Sequence, residues 1–119
     1  MNIAQHDIEI KRGDDISRLI KFHRVSNSVR APLDISSLQR IDCHIKSNNK
    51  IHLKLSTKDK TILIKDKVNG EIILVFNSKD TQKLKFEDGE YDLQFVTKSG
   101  KVRTVLVGNF TLNHDITIV

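Results

Sequence analysis

The chain contains no tryptophan, one proline, one cysteine and one methionine, and aromatic side chains make up only 5% of its 119 residues. A single cysteine, Cys43, excludes an intrachain disulfide and any zinc site of the multi-cysteine kind. Synthesis in a reducing compartment fits that usage. No apolar run approaches the ~20 residues that span a bilayer. The opening Met1-Asn2-Ile3-Ala4-Gln5-His6-Asp7 lacks a basic start followed by an apolar stretch, which predicts no secretory leader. No Walker motif, dinucleotide fingerprint or glycine-rich phosphate loop is present, and the five glycines all read as turn or strand-bend residues.

What is present is 38% hydrophobic and 29% charged residues, the balance of a soluble globular chain. This length predicts a single domain over 1–119 that buries roughly two-thirds of its unfolded surface. Without tryptophan, the core must rest on isoleucine, leucine, valine and five phenylalanines.

The pattern of those residues has a period of two. Tyr91, Leu93 and Phe95 alternate onto one face, and Val102, Thr104, Leu106, Gly108 and Phe110 repeat the pattern after a turn at Ser99-Gly100. Asp88-Gly89-x-Tyr91-x-Leu93 has the shape of a tyrosine corner, in which the hydroxyl ties to nearby backbone where a sandwich strand begins.

Earlier strands are predicted over Asp7 to Lys11 and over Ile16 to Arg24, with Ile16, Ile20 and Phe22 on one face and Arg18 as an intruder that lies near the strand's end or reaches out to solvent along its aliphatic stem. Val25 to Leu33 reads as a polar loop. Asp34 to Leu38 reads as one capped turn, with Asp34 accepting from backbone amides. Ile41, Cys43 and Ile45 then oppose Arg40, Asp42, His44 and Lys46 on a clean strand. Ser47 to Lys50 turns the chain into Ile51 to Leu55. After the Thr57 to Lys60 break, Ile62 to Ile64 ends at Asn69-Gly70. Glu71 to Phe76 is apolar on both faces, as an inner strand requires. Asn77 to Leu84 forms one helical turn crossing between sheets. Thr111 to Val119 continues the last strand or trails, with Ile116, Ile118 and Val119 seeking a partner.

Eight or nine short strands with no long 3.6-residue periodicity predict an all-β fold, an immunoglobulin-like antiparallel β-sandwich. The net charge is +5. Its lysines spread from Lys46 to Lys101 without interleaved aromatic stacking platforms, which argues against a nucleic-acid face. A hairpin about Ser47 to Lys50 would bring His44 and His52 to one face near Asp42, the makings of a two-His-one-carboxylate set, though a flat solvent face holds such a set weakly. Cys43 lies on the apolar face, where a thiol is inert. Asp14/Asp15 and Glu87/Asp88 fall in turns, where water prevents the desolvation that acid–base work needs. His6, His23 and His114 have no ligand spacing. The residues therefore predict no catalytic, cofactor-binding or metal site.

Three stretches together resemble a known family. They are Asp7-Ile8-Glu9-Ile10-Lys11-Arg12-Gly13-Asp14-Asp15, Ala31-Pro32-Leu33-Asp34-Ile35-Ser36-Ser37-Leu38 and Asp88-Gly89-Glu90-Tyr91-Asp92-Leu93. In order, they are similar to the immunoglobulin-like N-terminal domain of the phage baseplate upper protein and to free-standing tail proteins of phages and prophages. The chain departs from that pattern in its extra lysine, in a Pro32 loop without glycine and in its 57–70 segment. The resemblance implies a non-enzymatic tail or baseplate adaptor or decoration protein of the virion, made in the bacterial cytoplasm. It would bind other virion proteins or itself as a homo-oligomer, with no cofactor and no membrane. The alternative is a small basic phage-encoded protein that binds nucleic acid or inhibits an acidic host protein, using Lys46, Lys50, Lys54, Lys58 and Lys60 as a stripe.

Overall fold

The structure, a computed structural model, describes residues 3–113. In chain order its elements are β1 (Ala4–Gln5), β2 (Ile8–Lys11), β3 (Ile16–Lys21), β4 (His23–Ser26), β5 (Val29–Pro32), β6 (Leu38–Ser47), β7 (Lys50–Ser56), β8 (Ile62–Asp66), β9 (Glu71–Phe76), α1 (Ser78–Gln82), β10 (Asp88–Thr97) and β11 (Val102–Asn113). The first sheet runs β1-β11-β10-β6-β7, with β2 also on β11, and the second runs β3-β9-β8. Strands β4 and β5 pair only with each other.

Alternation decides which faces meet. Ile41, Cys43 and Ile45 of β6 are buried, as are Tyr91, Leu93 and Phe95 of β10. They face Ile72, Leu74 and Phe76 of β9, and one contiguous core joins both sheets. Phe76 and Phe110 bridge the layers with ring centroids 5.7 Å apart. Each such side chain stabilises the sandwich by about 1.5–3 kcal/mol through removal from water. Strand β9 lies between β3 and β8, so its outward Ile73 and Val75 are half-buried too.

The strand order places three strands against a four-strand path closed by N-terminal segments, which makes the fold an immunoglobulin-like β-sandwich. The predicted helical turn is α1, crossing from β9 in one sheet to β10 in the other. Thr81, buried in that helix, accepts from the Gly13 amide at 2.9 Å, and Asp15 accepts from the Ser78 amide at 2.7 Å. The helix thereby pins the turn between β2 and β3. Asp34 accepts from the Ser36 amide at 2.9 Å, forming the expected capped turn.

Three features differ from the sequence reading. Strands β1 and β2 pair in parallel with β11, so the sheets are not wholly antiparallel. The N-terminal segment must run toward the end where the turn at 12–15 passes into the second sheet. The strand predicted over Ile16 to Arg24 stops at Lys21, and Val25 to Leu33 holds the end of β4, the turn and all of β5, so it is most of a hairpin rather than a loop. Arg18 lies within β3 and reaches out to solvent, one of the two placements expected of it, with its guanidinium donating to the Glu9 carbonyl. Tyr91 donates its hydroxyl to the carbonyl of His6 and not to backbone close in sequence. The expectation for Ile116, Ile118 and Val119 lies outside the described residues, as does His114.

Candidate functional site

The residues with chemistry are dispersed. His44, on the outward face of β6, sits with Nδ1 3.8 Å from Asp92 Oδ1, while Lys46 Nζ holds Asp92 Oδ2 at 2.8 Å. Asp42 is occupied by Arg40 Nε, 3.0 and 2.9 Å from its two oxygens. The hairpin about Ser47 to Lys50 does form, but it does not gather the predicted triplet. Ile45 pairs with Leu53 and Lys46 with Ile51, so His52 is the extra residue of a β-bulge. The bulge turns its ring onto Phe86, with centroids 5.0 Å apart, and brings Nε2 to 3.2 Å from the Ser47 carbonyl. Among the described residues no three His, Cys, Asp or Glu side chains are grouped to hold a metal ion.

Cys43 is buried between its two isoleucines. Burial first, and the Asp92 carboxylate second, push its thiol up to about 12. Asp15 is used by the helix start, and the Glu87 carbonyl accepts from the Leu112 amide at 2.8 Å. His23 Nδ1 lies 3.1 Å from the Arg30 guanidinium. Lys50 and Lys54 stand on β7, the outermost strand of its sheet, with Lys58 and Lys60 in the turn beyond. Lysines there deter unwanted strand pairing.

What the fold does present is surface. Leu19, Ile73 and Leu63 lie in register across β3, β9 and β8 on the outward face of the second sheet. Leu19 is 45% and Leu63 43% exposed. The hairpin of β4 and β5 carries Val25 and Val29, 73% and 65% exposed. A cleft of about 670 Å³ opens between β1 and β3, where the two sheets leave their edges unjoined, and Phe22, Leu33 and Leu106 line it. A second, of about 540 Å³, lies at the β10–β11 hairpin over Leu38 and Phe95, with Lys101 and Arg103 at its rim. The hairpin and clefts escaped the sequence reading because neither buries an alternating face. Val25 and Val29, bracketing Asn27-Ser28, were the available signal.

No family model matches the chain, and no curated protein matches it in sequence. Among solved structures it is similar to the extracellular domains 3–5 of Drosophila OTK, at 17% identity and a TM-score of 0.39. That match covers 98% of this chain and 34% of that one, so the chain spans about a third of its length.

Proposed function

We propose that the protein is a non-enzymatic structural or interaction module of a phage or prophage particle, a tail or baseplate adaptor or decoration protein. Its partners in this reading are other virion proteins or further copies of itself, and it uses no cofactor. The three family-like motifs of the sequence support the phage setting. The row Leu19–Ile73–Leu63 carries the interaction part of the reading. Apolar residues aligned across three strands on a solvent face are the composition of a docking surface.

The test is incorporation. Particles induced from the source cells and purified on a density gradient should contain the protein in fixed ratio to a tail protein. The double variant Leu19→Glu/Leu63→Glu, folded to the same midpoint, should be lost from them. A protein absent from purified particles and strictly monomeric by light scattering overturns the proposal.

A further inference from the structure

One of the chain's carboxylate-free basic stretches coincides with a hairpin. From Lys21 to Leu33 the sequence holds Lys21, Arg24 and Arg30 with His23, and no aspartate or glutamate. None of these cations is within salt-bridge distance of a described carboxylate. Glu71, opposite Lys21 in register, lies instead 3.9 Å from Lys65.

The same segment is the β4–β5 hairpin, which pairs with no other strand. Val25 sits opposite Arg30 and Val29 opposite Ser26, so each face of the ribbon shows one valine. Arg30 shares the face of Val25, and Arg24 the face of Val29. An isolated hairpin with no buried face gains little from its own packing. Its base, by contrast, is fixed. The Phe22 amide donates to the Gly70 carbonyl at 2.8 Å and the Leu33 amide to the Phe22 carbonyl at 3.0 Å. Gly70 has φ +67°, and a Cβ there would stand 2.3 Å from the Leu33 carbonyl oxygen. Phe22 packs edge-on against Phe95 at 5.0 Å. The fixed base confines the ordering that binding requires to the tip.

Beside this arm opens the cleft between β1 and β3. Its floor is apolar, and its lining carries the cations Lys21 and Arg30 with the rings of His6 and His23, and no carboxylate. The geometry points to the Val25–Arg30 face of the hairpin and this cleft as one docking site for an extended acidic segment of a partner protein, whose aliphatic side chains fill the cleft while its carboxylates meet Lys21 and Arg30. Charge complementarity sets the sign of the partner. Exposed Val25 and the aliphatic floor set its apolar component. A nucleic acid fits less well, because the one aromatic ring here, Phe22, is committed to Phe95 and offers no stacking platform. This inference rests on the reading of the chain as an interaction module and names its surface.

The experiment is a titration of the full chain, followed by amide chemical shifts. The probes are a synthetic peptide of alternating glutamate and valine, its lysine–valine counterpart, and duplex DNA. The acidic peptide should shift amides of residues 21–33 and of the cleft. Lys21→Glu/Arg30→Glu should weaken it about tenfold or more. Val25→Ser should weaken it with the charge unchanged. These side chains are exposed, so both variants should keep the parent unfolding midpoint. Equal binding by the charge-reversed variant, equal binding of the lysine peptide, or shifts elsewhere or nowhere overturn the site. So does DNA binding more tightly than the acidic peptide at this hairpin with a steep salt dependence. Failure here is separable from failure of the particle reading. A charge-reversed variant that still enters particles sinks the arm alone, and a protein that binds the peptide but is absent from particles sinks the phage setting alone.

Discussion

The hydroxyl of Tyr91 donates to the backbone carbonyl of His6, 85 residues away in the chain. It therefore ties the N-terminal segment to the centre of the first sheet, and does not fold back on its own strand as a tyrosine corner would. The His6 amide completes the tie by donating to the Val107 carbonyl at 2.9 Å. Tyr91→Phe removes the hydroxyl but keeps the ring in the core. It should cost about 0.5–1.5 kcal/mol in urea unfolding, with an unchanged denaturant slope. No change in stability would mean that the hydroxyl is equally well served by water.

Gly108 makes that tie possible. A Cβ at this position would stand 1.9 Å from the His6 carbonyl oxygen and 3.0 Å from the Tyr91 ring. The nearest obstacle is backbone, so no side-chain rotation relieves it. Gly108→Ala should displace β1 and cost more than Tyr91→Phe, on the order of 2–3 kcal/mol. The two variants should be non-additive, because the first already breaks the contact that the second removes. Hydrogen exchange at the His6 amide should speed up in Gly108→Ala while the Leu93 amide stays protected. Equal acceleration at both sites would contradict a local displacement.

Much of the sandwich is legible in the sequence because its strands alternate around one core. Ile41, Cys43 and Ile45, and the two-sided apolar run from Glu71 to Phe76, announce their places by side chain alone. Elements that depend on backbone escape the same reading. Strand β1 joins β11 by parallel pairing of exposed residues, and the bulge at His52 reverses a face that strict alternation assigns to the solvent side with His44. The β4–β5 hairpin buries no side-chain row, so nothing in its hydrophobic pattern separates it from a loop. The candidate docking site was half visible: the run without carboxylates from Lys21 to Leu33 stands in the sequence. Its pairing into a clamped arm depends on Gly70, far away in the chain.

Alkaline pH should unfold the protein through groups that the core keeps protonated. Burial raises the Cys43 thiol from 9.0 to about 12, and burial also raises the Tyr91 phenol. Below about pH 9 folded and unfolded chains both hold the thiol proton, and its contribution to stability is complete. Above that, the unfolded chain releases the proton while the folded chain keeps it. Stability then falls by about 1.4 kcal/mol per pH unit, up to roughly 4 kcal/mol by pH 12 from the thiol. Tyr91 adds a loss of the same sign once an unfolded phenol ionises, near pH 10. Cys43→Ala should lower stability at pH 8 through its cavity, yet flatten the decline between pH 9 and 10. An undiminished slope in that variant would remove the thiol from the account. The native thiol should also resist a thiol reagent until the chain unfolds.

Two tight turns carry the same strain with different consequences. Asn48 and Asn49 connect β6 to β7 at φ 53° and 64°, and Asn27 and Ser28 connect β4 to β5 at φ 50° and 63°. Both pairs have the left-handed backbone that favours glycine at the second position. Strand β6 is a core strand, so relief at Asn49 enters the global free energy. Asn49→Gly should raise stability by about 0.5 kcal/mol, less than a full strain term because asparagine tolerates this region and glycine is more disordered when unfolded. Serine tolerates it less well, so the local gain in Ser28→Gly should be larger, about 0.5–1 kcal/mol. The hairpin it closes, however, contributes almost no buried surface. Ser28→Gly should therefore slow amide exchange from Arg24 to Ala31 while leaving the denaturation midpoint unchanged, since a segment that opens independently does not set the global transition. A midpoint that rises as much in Ser28→Gly as in Asn49→Gly would show the arm packed into the body of the protein, and would remove the free tip on which its proposed docking depends.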